Sequence, residues 1–419
     1  MSEQIRWFCG FDWASQKHHV CLLDGAGQRL GERDVEHGGA GLGELCDWLL
    51  AQTGGTPAEI AVAIETTSGP VVETFLERGF AVFGINPKQL DRFRDRFSVA
   101  GAKDDSRDAW VLGGSLRTDR PAFRRLSLED PVIIELREYS RMDDDLKAEL
   151  NRLGNRMREQ LWRYYPQALQ VAGDNLTAPW FLALWHQAPT PAKAKKLRRS
   201  VVERVLVEHR IRRLDAEQVL GTLRQKPLAV APGAVEAASG HIRLLLPRIR
   251  LVNEQIKAVH HRLDELCTQL EAPEENEPGQ GSEHRDATIL RSLPGVGRIV
   301  LATMLAEASE PLRRRDYHAL RALSGQAPIT KRSGKSCFVL RRHACNKRLA
   351  EALFHWARVA MQHDPTSRQR YAELRRRGKS HGRALRTVGD RLLFVACTLL
   401  ERGTLYDPNH RAASAATAA

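Results

Sequence analysis

Residues 60–64 read Ile-Ala-Val-Ala-Ile, and Glu65 follows directly. An unbroken apolar run of this length, without polar alternation, is the pattern of a strand buried on both faces. A chain that builds such a strand must cover both sides of its sheet, so the surrounding segment is expected to be α/β. Three candidate strands precede it: Ile5–Phe11, His19–Asp24 and Gln28–Val35, with a Gly-Ala-Gly turn at 25–27. Leu42–Leu50 reads as a helix, as does Val71–Leu76 after Gly69-Pro70. Ala81–Ile85 reads as a short strand ending at Asn86-Pro87, and residues 105–116 as a helix.

Three early strands in a meander, then alternating strand and helix, is the order of an RNase H-like fold. A doubly wound nucleotide-binding sheet is the competitor, but no GxGxxG follows the first strand. The first domain is placed at 1–125.

Four carboxylates stand out in it. Asp12 closes the first strand and Glu65 closes the buried one. Two carboxylates at the ends of adjacent strands can face one cleft. Asp105 and Asp108, three apart on the expected helix, share a face, whereas Asp104 points elsewhere. Converging carboxylates repel by a few kcal/mol per pair, roughly, at about 4 Å and an effective dielectric near 20. A divalent ion relieves that repulsion, and hard oxygen ligands suit Mg2+ or Mn2+. Two such ions would clamp the attacking and leaving oxygens of a phosphodiester. The bland alternative is that these residues are turn formers and helix caps.

The rest of the chain reads as mainly helical. The helical middle, 126–285, contains Pro131–Trp162 and a second long helix at 240–271. In the latter, Ile249, Val252, Ile256, Val259, Leu263, Leu266 and Leu270 alternate by three and four, the a/d pattern of a coiled-coil seam. A bundle helix packed within its own chain would give the same pattern. Residues 272–287 are polar and carry Gly and Pro, as a linker would. The last domain is placed at 286–405, and 406–419 is expected to be a disordered tail.

Charge points to the partner. The 419 residues contain 64 Lys+Arg against 51 Asp+Glu, a net of +13, and an excess on this scale favours a polyanion. No run of about 18 apolar residues occurs, so the polyanion is expected to be nucleic acid rather than a membrane. The seven cysteines form no CxxC pair, which supports neither a cysteine zinc site nor a disulfide framework. Reduced thiols in a cytoplasm are the expectation. The adjacent pairs His18-His19 and His260-His261 lack the i, i+4 spacing of helical metal ligands.

In the last domain, Leu293-Pro-Gly-Val-Gly297 with Arg298 has the form of a helix-hairpin-helix turn, with Gly295 and Gly297 letting backbone amides approach a phosphate. A plain helix connection is the alternative. Ser333 lies in a Gly-containing turn beside Lys331, Arg332 and Lys335. Basic neighbours can neutralise a phosphate, but no local base would activate the hydroxyl, so chemistry alone reads Ser333 as a turn residue. Arg341, Arg342, His343, Lys347 and Arg348 form one basic stretch, and 368–379 another, continued by Arg383 and Arg386. These are candidate phosphate contacts or solvated helix faces.

Taken together, FDWASQKHHVCLLD, VAIETTSGP, NPKQL, KDDSRDA, SLPGVG, SGQAP and RSG, in this order, resemble the DEDD transposases of insertion sequences. That family includes relatives of the Piv DNA invertase and the bridge-RNA-guided recombinases. The resemblance spans both ends of the chain and is weak across 170–240. It implies an RNase H-like domain of the Holliday-junction-resolvase type with Asp12, Glu65, Asp105 and Asp108 as the metal quartet. It further implies a mainly helical C-terminal transposase domain whose Ser333 is the nucleophile, forming a phosphoserine link to DNA. A dimerising coiled coil would form the middle, and a structured non-coding bridge RNA would pair with double-stranded target and donor DNA. A homodimer or tetramer would form the synaptic complex, in the bacterial cytoplasm at the nucleoid. The family pattern Lys-Thr-Asp-x-x-Asp is here Lys103-Asp104-Asp105-x-x-Asp108. A metal-dependent junction nuclease without a covalent intermediate and a non-catalytic nucleic-acid scaffold are the alternatives.

Overall fold

The computed structural model describes residues 4–97, 104–128, 130–231, 233–271, 281–334 and 336–408. The chain divides into two compact units, Met1–Asp130 and Pro131–Ala419.

The first unit is built on a six-stranded sheet. Its strands are β1 (Trp7–Asp12), β2 (Lys17–Leu23), β3 (Arg29–Glu36), β4 (Ile60–Ile64), β5 (Ala81–Gly84) and the two-residue β6 (Arg124–Arg125). Their order is β3-β2-β1-β4-β5-β6. β1–β3 form the expected antiparallel meander, while β4 pairs parallel with β1 and β5 parallel with β4. Every residue of β4 is buried. The helices are α1 (Gly39–Thr53), α2 (Pro70–Glu77), α3 (Pro87–Phe97) and α4 (Asp105–Thr118). One face of the sheet, with Cys9, Phe11, Val62 and Ile64, packs on the apolar side of α1 and α2. The other, with Phe8, Ala61 and Ala63, packs on Ala109, Leu112 and Leu116 of α4.

Small residues decide how close α4 comes. A Cβ at Gly10 of β1 would lie 1.8 Å from the Ala109 carbonyl oxygen and 2.6 Å from the Gly113 nitrogen. The helix therefore lies against the strand backbone, with no side chain between them.

The second unit is mainly helical. α5 (Pro131–Tyr164) and α11 (Ala234–Glu271) are its long helices. They run antiparallel, as the ion pairs Glu135–Arg262, Asp143–His260 and Glu149–Arg248 require. Between them in sequence lie five short helices, α6 (Pro166–Ala172), α7 (Pro179–Gln187), α8 (Pro191–Lys196), α9 (Arg199–Glu208) and α10 (Ala216–Leu223). They share an apolar core with the second half of α5 and the first half of α11. The chain continues as α12 (Gly281–Ser292), α13 (Arg298–Arg313), α14 (Tyr317–Leu323), β7 (Ile329–Ser333), β8 (Ser336–Leu340), α15 (Lys347–His363), α16 (Pro365–Arg376) and α17 (His381–Arg402). A second core joins Ile133 and Leu136 of α5 and Val259–Leu270 of α11 to the last helices. Tyr406, in the expected tail, packs against this core, and its backbone N–H donates to Ser292 Oγ.

One expectation is corrected. The heptad seam of α11 does not wait for a second subunit: Ile249, Val252, Val259, Leu263, Leu266 and Leu270 are buried within the chain, and Ile256 packs at the edge of the core that holds Ile249 and Val252. Periodicity marks a covered face without saying what covers it, and here that cover is the chain itself. The region 286–405 is mainly helical, as expected, with one antiparallel hairpin of β7 and β8.

Candidate functional site

Phe11 of β1 and Ile64 of β4 are register partners on parallel strands. The next residues, Asp12 and Glu65, therefore leave neighbouring strand ends side by side. Both lie on the face opposite Phe11 and Ile64, which is the face covered by α4. α4 brings Asp108, buried to 2% exposure, against this edge. The backbone contact at Gly10 and Gly113 sets that approach. Asp105 lies in the first turn of the same helix and is exposed. Asp104 is the N-cap, its carboxylate accepting from the Ser106 N–H at 3.4 Å. The cap role removes Asp104 from the face that Asp105 and Asp108 share.

The cluster is electrostatically strained. Burial pushes the Asp12 carboxyl up to about 6, and the carboxylates of Asp108, Asp105 and Glu65 push in the same direction. The relieving charge comes from Arg94 on α3. Its Nε donates to Asp108 Oδ1 at 2.8 Å, and one terminal nitrogen donates to Asp108 Oδ2 at 2.9 Å and to Glu65 Oε1 at 3.3 Å. Among the described residues, no three acidic, His or Cys side chains converge closely enough to ligate an ion. The Arg94 guanidinium lies between Glu65 and Asp108 and bonds to both. The donor set itself, carboxylates from three elements with a deficit of positive charge, fits a hard divalent cation.

Arg94 escaped the sequence reading, as did α3. The run DRFRDRF at 91–97 has no spacing that separates a site arginine from a solvated one.

In the second unit, Ser333 ends β7 opposite Ser336, with Gly334 at φ 54° in the turn. Lys335 lies outside the described residues. Both strands are exposed, including Lys331, Arg332 and the apolar Phe338, Val339 and Leu340. A two-residue connection beginning with Gly, flanked by Ile329-Thr330 and Val339, is a hairpin signal that the surrounding basic residues masked.

The Pro-Gly-x-Gly turn joins α12 to α13, but its glycines differ. A Cβ at Gly295, where φ is +83°, would meet the Ala360 nitrogen of α15 at 2.8 Å. Trp356 Nε1 of the same helix donates to the Pro294 carbonyl at 2.9 Å. Gly295 thus serves packing. Gly297, the N-cap of α13, is exposed with open space around it.

The basic candidates also divide. Arg298 pairs with Asp264, and Arg348 pairs with Asp144 and Glu307. These two hold helices together. Lys347 is exposed, its Nζ donating to the His343 carbonyl at 2.7 Å. Arg341 is exposed and Arg342 half-buried. Arg386 of α17 has its pKa lowered by burial and by the neighbouring guanidiniums of Arg341 and Arg383. Such a concentration of positive charge is suited to an anion.

No helix among the described residues is long and apolar enough to cross a membrane.

Comparison with known proteins agrees with the motifs. Residues 9–166 match a family model described as a transposase, the IS110 DEDD domain, and residues 287–372 match one described as the transposase IS116/IS110/IS902 family. The "Mini-circle putative transposase for IS117" of Streptomyces coelicolor is 36% identical over 394 residues, covering 92% of each chain. The "Putative transposase y4uE" of Sinorhizobium fredii is 57% identical over 217 residues, which is 52% of this chain and 60% of that one. The "Insertion element IS110 uncharacterized 43.6 kDa protein" of S. coelicolor is 28% identical over 97% of this chain and 96% of its own length. With a relative of this identity matched nearly end to end, and both family models in order along the sequence, the chain belongs to the IS110-type DEDD transposases of insertion sequences.

Proposed function

We propose that the chain is the recombinase of its insertion sequence, cutting and rejoining DNA with a divalent metal, Mg2+ or Mn2+, held by Asp12, Glu65, Asp105 and Asp108. The observation that carries this reading is the meeting of Asp12 and Glu65 on adjacent parallel strands, with Asp108 held against them by the glycine contact beneath α4. The sheet order, meander first and parallel strands after, supports an RNase H-like, Holliday-junction-resolvase-like domain. When bound, the metal would neutralise charge developing on the phosphate. The chain's part is to fix the carboxylates from β1, β4 and α4 on one sheet edge.

Ser333 is the nucleophile in this reading. Its Oγ forms a bond to phosphorus as its proton leaves. The bond from phosphorus to the DNA oxygen breaks, and that oxygen takes up a proton. The phosphoserine ester keeps the bond energy for rejoining. The exposed hairpin supports the role by placing Ser333 with Lys331 and Arg332 where a duplex can reach them. Gly297, Arg341, Arg342 and Lys347, together with Lys335, supply phosphate contacts. The helix-hairpin-helix role falls to Gly297 alone of the two glycines. Site choice belongs to a structured bridge RNA that pairs with target and donor DNA. The enzyme works as a homodimer or tetramer in the bacterial cytoplasm. The net charge of +13 supports a polyanionic partner, and the family supports DNA as that partner.

The test is a denaturing gel of labelled DNA incubated with RNA, Mg2+ and protein. Wild type should give a covalent protein–DNA band, absent in Ser333→Ala and in Asp12→Ala, while Ser333→Ala still binds nucleic acid. A band that persists in Ser333→Ala would point to another nucleophile. Metal-dependent cleavage without any band in wild type would favour a junction nuclease in which water attacks.

A further inference from the structure

Arg94 lies between two carboxylates assigned to the metal, yet the reaction as described gives it no task. All three of its guanidinium nitrogens are engaged. Nε and one terminal nitrogen grip both oxygens of Asp108 at 2.8 and 2.9 Å, and that terminal nitrogen also reaches Glu65 at 3.3 Å. The other terminal nitrogen donates to Asp91 Oδ1 at 2.7 Å, three residues earlier on α3. The Asp108 side chain is 3% exposed and that of Arg94 28%. The arginine thus reaches in from the rim to a buried acid and links the end of β4 to α4, two elements that a divalent ion would also link.

We propose that Arg94 is an internal counter-cation that holds Glu65 and Asp108 in place while the metal is absent, and that a divalent ion must displace it. The inference rests on the metal reading above. A hard ion takes carboxylate oxygens at about 2.1 Å, shorter than the 2.8–3.3 Å hydrogen bonds to Arg94. The carboxylates must close on the ion, and the guanidinium cannot remain between them. Asp91, on its own helix, gives the displaced arm a partner to keep. Two effects follow. The metal-free cluster is stabilised, and metal affinity is weakened because binding must first break the two-pronged grip on Asp108. The carboxylates are thereby kept in register for an ion that arrives later.

The experiment is a Mn2+ titration of the full-length protein, following free Mn2+ by electron paramagnetic resonance, with thermal melts in EDTA. Arg94→Met keeps much of the aliphatic stem and removes the charge. It should bind Mn2+ about tenfold more tightly than wild type, within the usual range for coupled binding events. It should melt lower in EDTA and recover more of its melting temperature on adding Mn2+. Arg94→Lys keeps a charge but cannot grip both Asp108 oxygens, so its affinity should fall between the two. If Arg94→Met does not fold in EDTA, Arg94→Lys decides: tighter binding than wild type supports displacement, and equal or weaker binding overturns it. Wild type and Arg94→Met binding Mn2+ equally, or Arg94→Met more weakly, would overturn the inference and leave the metal reading standing. No Mn2+ binding by any of the three proteins would remove the metal reading and the inference with it.

Discussion

Asp12 bears the electrostatic cost of its surroundings. Burial and three neighbouring carboxylates raise its pKa to about 6. In the unfolded chain it titrates in the ordinary carboxylate range. Between these values the folded state binds more protons than the unfolded one, so Asp12 lowers the stability of the metal-free protein as pH rises through roughly 4 to 6. Asp12→Asn removes that charge and keeps the shape. In EDTA at about pH 7.5 it should melt above wild type, and near pH 4.5 the gap should shrink. A variant that melts below wild type at the higher pH would mean that ionised Asp12 is held by favourable contacts instead. Legibility at this scale was uneven. Strand ends and three-residue spacing singled out Asp12, Glu65, Asp105 and Asp108 as candidates, and the fold brings Asp12, Glu65 and Asp108 near one another. Spacing favoured Asp105 over Asp104, and the fold adds that Asp104 caps α4. Arg94 was invisible, because its role comes from where α3 lies and not from its neighbours in sequence.

At the scale of elements, small residues matter as much as charged ones. Gly10 lets α4 touch the backbone of β1, and that contact puts Asp108 beside Asp12. Gly10→Ala forces a methyl group to within 1.8 Å of a carbonyl oxygen. Neither side can yield by rotating a side chain, so a cost of about 3 kcal/mol or more is expected. The melting temperature of the variant should drop by roughly 10 °C, and DNA cleavage should fall because Asp108 moves with α4. An unchanged melt would mean that α4 does not depend on this contact. The buried strand, the meander and the long helices were legible because burial imposes periodicity. The five helices of 166–223 were not. Each is short, four of them begin at Pro or follow an Asp cap, and none carries enough turns to show a stripe. The hairpin of β7 and β8 was missed because both strands are exposed, and so lack the alternation that a half-buried strand shows. The seam of α11 was read correctly as covered, but its cover is the chain itself.

For the whole molecule, two independent signals converge. The net charge of +13 favours a polyanion, while Asp12, Glu65, Asp105 and Asp108 act on one another electrostatically in the first unit. Carboxylates gathered near one sheet edge repel phosphate, and in the proposed reading a divalent metal reconciles them with DNA. The direct test is cleavage of labelled DNA carrying the ends of the element, in Mg2+ and in EDTA, by wild type, Asp12→Asn, Glu65→Gln and Asp108→Asn, each checked by its melt. Wild type should cut in Mg2+ only, and each folded variant should cut at least about 100-fold more slowly, as expected when a charge-stabilising group is lost from the reacting centre. Cleavage by wild type in EDTA, or undiminished cleavage by folded Asp12→Asn or Asp108→Asn, would contradict the account.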